Sequence, residues 1–146
     1  SVLSPYVHVT ENYDFGLWVG YFLSQGYVMK RQCKINGDKS ENYTGVSFTF
    51  NSKHDFFIKE ILELTKKIFG IEATINVNDN DGSTKVNVNN IFVGHFIETL
   101  FGTGFDKKRV TNEMMTAPDD FLAGIVTGIF RGDGCVASSY VTLVLK

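Results

Sequence analysis

The chain is 146 residues long, 43% hydrophobic and 21% charged, with 14 glycines and only 2 prolines. That profile describes one folded unit with a real core and excludes collagen-like, coiled-coil and disordered chains. Sixteen acidic against 14 basic residues leave a net charge of −2, so no overall cationic field attracts nucleic acid and an anionic partner must be met by a local face.

The first predicted element is a helix, beginning near Phe15 and carrying Gly16 and Gly20 within an apolar run. Residues 27–35 and 45–51 alternate with period two and read as strands, joined by a polar loop over 36–44. Ser52 and Asp55 resemble a capping box before a helix over 55–69, whose Phe57, Ile58, Ile61, Leu62, Leu64, Ile68 and Phe69 recur at helical spacing and which stops at Gly70. Residues 73–78 and 85–89 form a hairpin around Asp79-Asn-Asp-Gly82. A helix over 91–101 follows, stopped by Gly102. Pro118 and Asp119 open the last helix, and a strand over 140–145 ends the chain. The order is αββαββα, then one helix and one strand: an α+β chain built on a four-stranded antiparallel sheet. The 13 Phe and 6 Tyr predict an aromatic core.

The two ends of this pattern repeat each other. Residues 15–28 lie over residues 123–136 without a gap, so that Gly16, Gly20 and Gly26 fall on Gly124, Gly128 and Gly134, and Phe22 on Phe130. Such self-similarity marks two copies of one supersecondary unit. Glycines at i and i+4 inside a helix cost about 1 kcal/mol each relative to Ala. They are tolerated where another helix backbone comes very close, so Gly16, Gly20, Gly124 and Gly128 are read as the packing surface between the two copies. The division expected is a complete first repeat over 1–118 and an incomplete second one over 119–146.

Strand alternation separates a face for the core (Met29, Cys33, Ile35; Val46, Phe48, Phe50; Ala73, Ile75, Val77; Val86, Val88) from a polar one. The polar set is Lys30, Gln32, Lys34, Ser47, Thr49, Asn51, Thr74, Asn76, Asn78, Lys85, Asn87 and Asn89, with Arg31 a misfit on the core side. These positions hold three Lys, six Asn or Gln and no carboxylate, in a chain with more acids than bases. A solvated sheet face is normally polar, but it normally mixes in Asp and Glu. Asn and Gln amides pair with adenine edges, and Lys reads guanine or phosphate. The major groove admits a β-ribbon, so this face is the expected DNA-binding surface. Asp133 is the second chemical signal. It ends a helix between Gly132 and Gly134, where the macrodipole disfavours a carboxylate and a divalent cation would offset it.

Other patterns fail. The stretch 77–88 offers valines at both terminal ligand positions of a calcium loop. Gly102-Thr-Gly104 with Lys107-Lys108 lacks the spacing of a phosphate-binding loop. His8, His54 and His95 are isolated, and Cys33 and Cys135 have no metal-ligand neighbours. The N-terminal SVLSPYVHVT has neither a basic region nor an apolar core, and the apolar runs around 17–23 and 125–130 are too short to cross a bilayer. The expectation is a soluble intracellular chain, cytoplasmic or nuclear, with no membrane partner.

Residues 18–26 (WVGYFLSQG) and 126–134 (VTGIFRGDG) resemble the two LAGLIDADG motifs of homing endonucleases, most of all the endonuclease domains found in inteins. The segments 6–10, 68–72, 100–104 and 107–110 are similar as well, and the resemblance covers nearly the whole chain. It implies a saddle-shaped sheet over DNA, two motif helices packed through their glycines, and acids at the helix ends that hold Mg²⁺ or Mn²⁺ for phosphodiester hydrolysis. By this likeness Asp133 matches the second catalytic and metal-binding acid, and Lys108 the basic residue near the scissile phosphate. Gln25 stands where the first acid would be. A neutral amide there, with a second repeat cut short, implies either an endonuclease that needs a complementary half or a second copy of the chain, or a catalytically inactive nucleic-acid-binding module.

Overall fold

The computed structural model describes residues 2–3, 7–101 and 117–133. A short pair, β1 (Val2–Leu3) with β2 (His8–Val9), precedes helix α1 (Tyr13–Gln25). Asn12 starts α1 by accepting the Phe15 amide at 2.9 Å, satisfying one of the donors that a helix start leaves unpaired. There follow β3 (Gly26–Ile35), β4 (Asp38–Asn51), α2 (Asp55–Phe69), β5 (Thr74–Asn78), β6 (Ser83–Val88), α3 (Ile91–Phe101) and α4 (Asp119–Asp133). The last four strands make one antiparallel sheet in the order β3-β4-β6-β5. The α+β class and the αββαββα order are as expected. The strand over 140–145 and the Gly102 stop lie outside the described residues.

Two local expectations change. The stretch 36–44 is mostly strand, because Asn36 and Gly37, at φ 53° and 84°, make a two-residue turn of the kind whose twist suits a hairpin. Pairing then runs back from Ile35↔Asp38, with Thr44 as the unpaired residue where the register shifts. Ser52 does not cap α2; its hydroxyl meets Thr84 Oγ1 at 2.7 Å, and His54 at the N-cap makes no side-chain cap bond. Burial of Ile58, Ile61 and Leu64 holds α2 instead.

The core is aromatic, as the composition predicts. Phe15, Trp18, Tyr21 and Phe22 of α1 are fully or almost fully buried, with Val46, Phe48, Val86 and Val88 beneath them. Trp18 lies edge-on to Phe48 and Phe69, each at 5.1 Å, an arrangement aromatic rings favour. Its indole N–H donates to Thr65 Oγ1 at 3.0 Å, and that hydroxyl donates to the Ile61 carbonyl, so the buried polar groups are satisfied. Ile75 and Val77, expected in the core, are 45% and 59% exposed. They lie on β5, the edge strand, while the helices pack chiefly over β4 and β3.

Helices α1 and α4 touch backbone to backbone. A Cβ added at Gly16 would fall on the Phe121 carbonyl, at Gly20 on that of Ile125, at Gly124 on that of Tyr13, and at Gly128 on that of Leu17. The four glycines are therefore the contact surface itself, which offsets their poor helix propensity.

Candidate nucleic-acid interface and motif-helix floor

Nine of the twelve expected positions share the sheet face turned away from the core. Cross-strand pairs run Ser47↔Asn87↔Thr74, Thr49↔Lys85↔Asn76 and Asn51↔Ser83↔Asn78. Ser47 Oγ donates to Asn87 Oδ1 at 2.7 Å, and Asn89 Nδ2 donates to Thr74 Oγ1 at 3.1 Å. Ser47 is fully buried, a floor residue whose hydroxyl is already engaged. Asn51, Thr74, Asn76, Asn78, Lys85 and Asn89 are exposed, although the Asn51 and Asn78 oxygens accept the Lys53 and Asn80 amides and Asn89 is engaged with Thr74.

Lys30, Gln32 and Lys34 are not on that face. The register sets Tyr27 opposite Ser47 and the buried Val28 opposite Val46, and the Lys85 ammonium lies 5.9 Å from the Tyr27 ring centre. Residues 27, 29, 31 and 33 thus take the polar side. Lys30 follows Val28 to the helix side, where its ammonium pairs with Glu98 of α3 at 2.9 Å and lies 5.2 Å from the Tyr43 ring. The hydrogen bond to Glu98 raises the Lys30 pKa. Gln32 and Lys34 follow by the same alternation. The phase was misread because the outer half of β3 overhangs the core: Ile35 is 66% exposed, so apolar residues there no longer report burial. Arg31, the supposed misfit, belongs to the polar face. Arg31 and the nine expected residues that share the face include no carboxylate, but the same register carries the face out to Asp38, opposite Ile35 at the hairpin end.

The ends of α1 and α4 form a second feature. Gln25 Nε2 donates to the Gly132 carbonyl at 2.7 Å and to Asp133 Oδ1 at 3.5 Å. A primary amide thereby joins two helix C-termini, where unpaired carbonyls and a carboxylate concentrate negative charge. Among the described residues no three of His, Cys, Asp and Glu are grouped as a metal cage. Lys108 lies outside the described residues.

Arg131 was not singled out from the sequence. Its guanidinium pairs with Glu60 of α2 and stacks 5.5 Å from the Phe56 ring centre, and Tyr21 Oη donates to the same Glu60 oxygen at 2.6 Å. Burial, reinforced by the Glu60 carboxylate, holds the Tyr21 hydroxyl far above its ordinary pKa. The cluster ties α1, α2 and α4 together two residues before Asp133. No local pattern announces a contact between residues 60 and 131.

No family model matches the chain. It is 26% identical over 132 residues to a DNA polymerase of Thermococcus sp. (strain GE8), covering 90% of this chain and 7% of that protein. An uncharacterised protein of Methanocaldococcus jannaschii is 24% identical over 136 residues, covering 92% of this chain and 14% of that protein. An iron-sulfur cluster assembly SufBD family protein of Mycobacterium tuberculosis (strain ATCC 25618 / H37Rv) is 22% identical over 123 residues, covering 84% and 14%. The chain thus spans a small fraction of the length of these relatives. Among solved structures, mesophilic variants of the homing endonuclease I-DmoI superpose with a TM-score of 0.56, over 84% of this chain and 62% of that one, at 12% identity. The helix–strand order, the glycine-to-glycine helix pair and this superposition agree: the chain has the LAGLIDADG homing-endonuclease fold.

Proposed function

We propose that the chain is the DNA-binding part of an intein-associated, site-specific endonuclease, with its first repeat over 1–118 and a second beginning at 119. The observation that carries this reading is the part of the sheet face where β4, β6 and β5 pair, which presents Asn, Thr and Lys85 and no carboxylate among the described residues, in a chain of net charge −2. Edge amides suit adenine and the cations suit phosphate or guanine. The same stretch of chain matches short portions of a DNA polymerase and of an iron-sulfur assembly protein, as expected of an insert carried by unrelated hosts.

The motif ends suit a divalent ion only weakly. Mg²⁺ is bound through one or two carboxylates together with phosphate oxygens and water. Asp133 and the Gly132 carbonyl are hard oxygen donors of that kind, but Gln25 turns its NH₂ toward them. They fit a weak Mg²⁺ or Mn²⁺ site that needs a DNA phosphate to complete it. Bound there, the ion would supply an activated water and stabilise the leaving oxygen. In this reading Asp133 holds the ion, Gln25 fixes the two helix ends, and Lys108 meets the phosphate. A complementary half or a second copy completes the DNA-reading surface.

A second reading, a non-catalytic DNA-binding module, is favoured by the Gln25 amide. Relaxation of supercoiled plasmid in Mg²⁺, with and without a complementing half, separates the two. The enzyme reading predicts faster cutting for Gln25→Glu and none for Asp133→Asn. If Gln25→Glu neither binds metal better nor cuts faster while still binding DNA, the chain is the binding module.

A further inference from the structure

The sheet has two unequal edges. At one, β3 carries Lys30, Arg31 and Lys34 and pairs with β4 through the register shift at Thr44. Charge and irregularity of this kind keep an edge from joining another chain. At the other edge, β5 reads Thr74-Ile-Asn-Val-Asn78, five residues with no charge, no proline and no glycine. All five are exposed, and among the described residues no strand pairs beyond them. Ile75 and Val77 lie opposite Val86 and Thr84 of β6. Those two are buried, yet Ile75 and Val77 stay 45% and 59% exposed, so the apolar side of the edge is left uncovered.

The order of residues in β5 selects what can cover it. Outward from Asn76 the strand has the same character in both directions, a β-branched apolar residue and then a polar one. An antiparallel second copy centred on Asn76 therefore sets Ile75 against Val77 of the second copy, Val77 against Ile75, and Asn76 against Asn76. β-Branched residues pair favourably across strands, and two side-chain amides can exchange hydrogen bonds. A slip of one residue would turn the apolar side chains of one copy to the polar face of the other. The match is two-fold and self-complementary, so it closes as a dimer and does not propagate as a fibre. Charge limits its length. The same register brings Glu72 of one copy beside Asp79 of the other at each end, and Glu72, though paired with Lys66 at 2.9 Å, is exposed. Five residues a side fall well short of the roughly 20–30 of a stable interface, so the dimer is weak, and it tightens as salt screens its flanks.

We propose that two copies of the chain pair through β5, antiparallel and centred on Asn76, joining their sheets into one. The two-fold axis stands perpendicular to the sheet, so the polar face of one copy continues into that of the other. The pairing does not rest on the proposed DNA-binding function, although a continuous polar face would serve it.

The test is sedimentation velocity of the chain without DNA, from micromolar to millimolar concentration and at low and high salt. The native chain shifts from monomer toward dimer as it approaches millimolar concentration, more so at high salt. Ile75→Lys together with Val77→Lys weakens dimerisation about tenfold or more, while Ile91→Lys, at a site of similar exposure on α3, leaves it unchanged. Cooperative thermal unfolding of each variant excludes misfolding. Single cysteines, in a background carrying Cys33→Ser and Cys135→Ser, read the register independently of the lysine pair. With oxidised glutathione, Asn76→Cys crosslinks two copies, because residues directly opposite lie within reach of a disulfide. Thr74→Cys crosslinks at least tenfold more slowly, since it faces Asn78 of the second copy and not itself. The proposal is overturned if the native chain stays monomeric at millimolar concentration or if salt dissociates the dimer. It is equally overturned if the lysine pair dimerises as well as the native chain, or if Thr74→Cys crosslinks as fast as Asn76→Cys. With no DNA present, such a failure leaves the DNA-binding function untouched, and a chain that dimerises but binds no duplex loses that function and keeps the dimer.

Discussion

Gln25 and Asp133 occupy equivalent ends of two helices, and an amide joins them where two carboxylates would repel. Changing Gln25→Glu removes the donor to the Gly132 carbonyl and sets a second negative charge beside Asp133. A lost hydrogen bond that strands a partly buried acceptor costs about 1–3 kcal/mol. Without divalent metal the variant should therefore unfold at lower temperature than the native chain. Mg²⁺ or Mn²⁺ should restore the variant, because an ion that binds only the folded state stabilises it by mass action. The native midpoint should move little under the same titration. Thermal unfolding of both proteins with and without Mg²⁺ reads this out, and equal metal responses would contradict it. The Gln25–Asp133 pairing was legible in the sequence because the glycine repeat fixes it. The Glu60–Arg131–Tyr21 cluster was not, since its members belong to three elements whose approach no local spacing encodes. Glu60→Gln should destabilise the fold by about 1–3 kcal/mol in urea unfolding, a loss tempered by the partial exposure of both partners.

Between elements, the contact of α1 with α4 sets two opposing effects against each other. Gly128→Ala gains about 1 kcal/mol of helix propensity. Its methyl, however, would fall on the Leu17 carbonyl and within 2.8 Å of Gly20 Cα. Backbone atoms cannot rotate aside as a side chain can, and overpacking costs about 1–3 kcal/mol, so net destabilisation is predicted; Gly128→Leu should be worse. Denaturant midpoints of the two variants check the order, and an alanine variant as stable as the native chain would contradict the close approach. Helices and β6 were readable from periodicity, since each has one face in the core, and β5 from the Asp79-Asn-Asp-Gly82 turn that pairs it with β6. The phase of β3 was not. Its outer half lies beyond the cover of β6, where Met29, Cys33 and Ile35 alternate without being buried, and the Asn36-Gly37 turn that extends β4 was passed over inside a polar stretch.

For the molecule as a whole, a net charge of −2 means that DNA affinity must come from a few well-placed cations. On the polar face Lys85 and Arg31 are those cations among the described residues, while Lys30 is neutralised by Glu98 and Lys34 follows it to the opposite side. No described helix is long and apolar enough to cross a membrane. The measurement that tests the central claim most directly is duplex-DNA affinity across a salt series for the native chain, Lys85→Glu and Lys34→Glu. Each phosphate contact contributes about 0.9 to the slope of log affinity against log salt. Lys85→Glu should weaken binding and reduce the slope by about 1, with Lys34→Glu close to native. Equal losses for the two variants, or no loss for Lys85→Glu, would contradict the assignment of this sheet face to DNA.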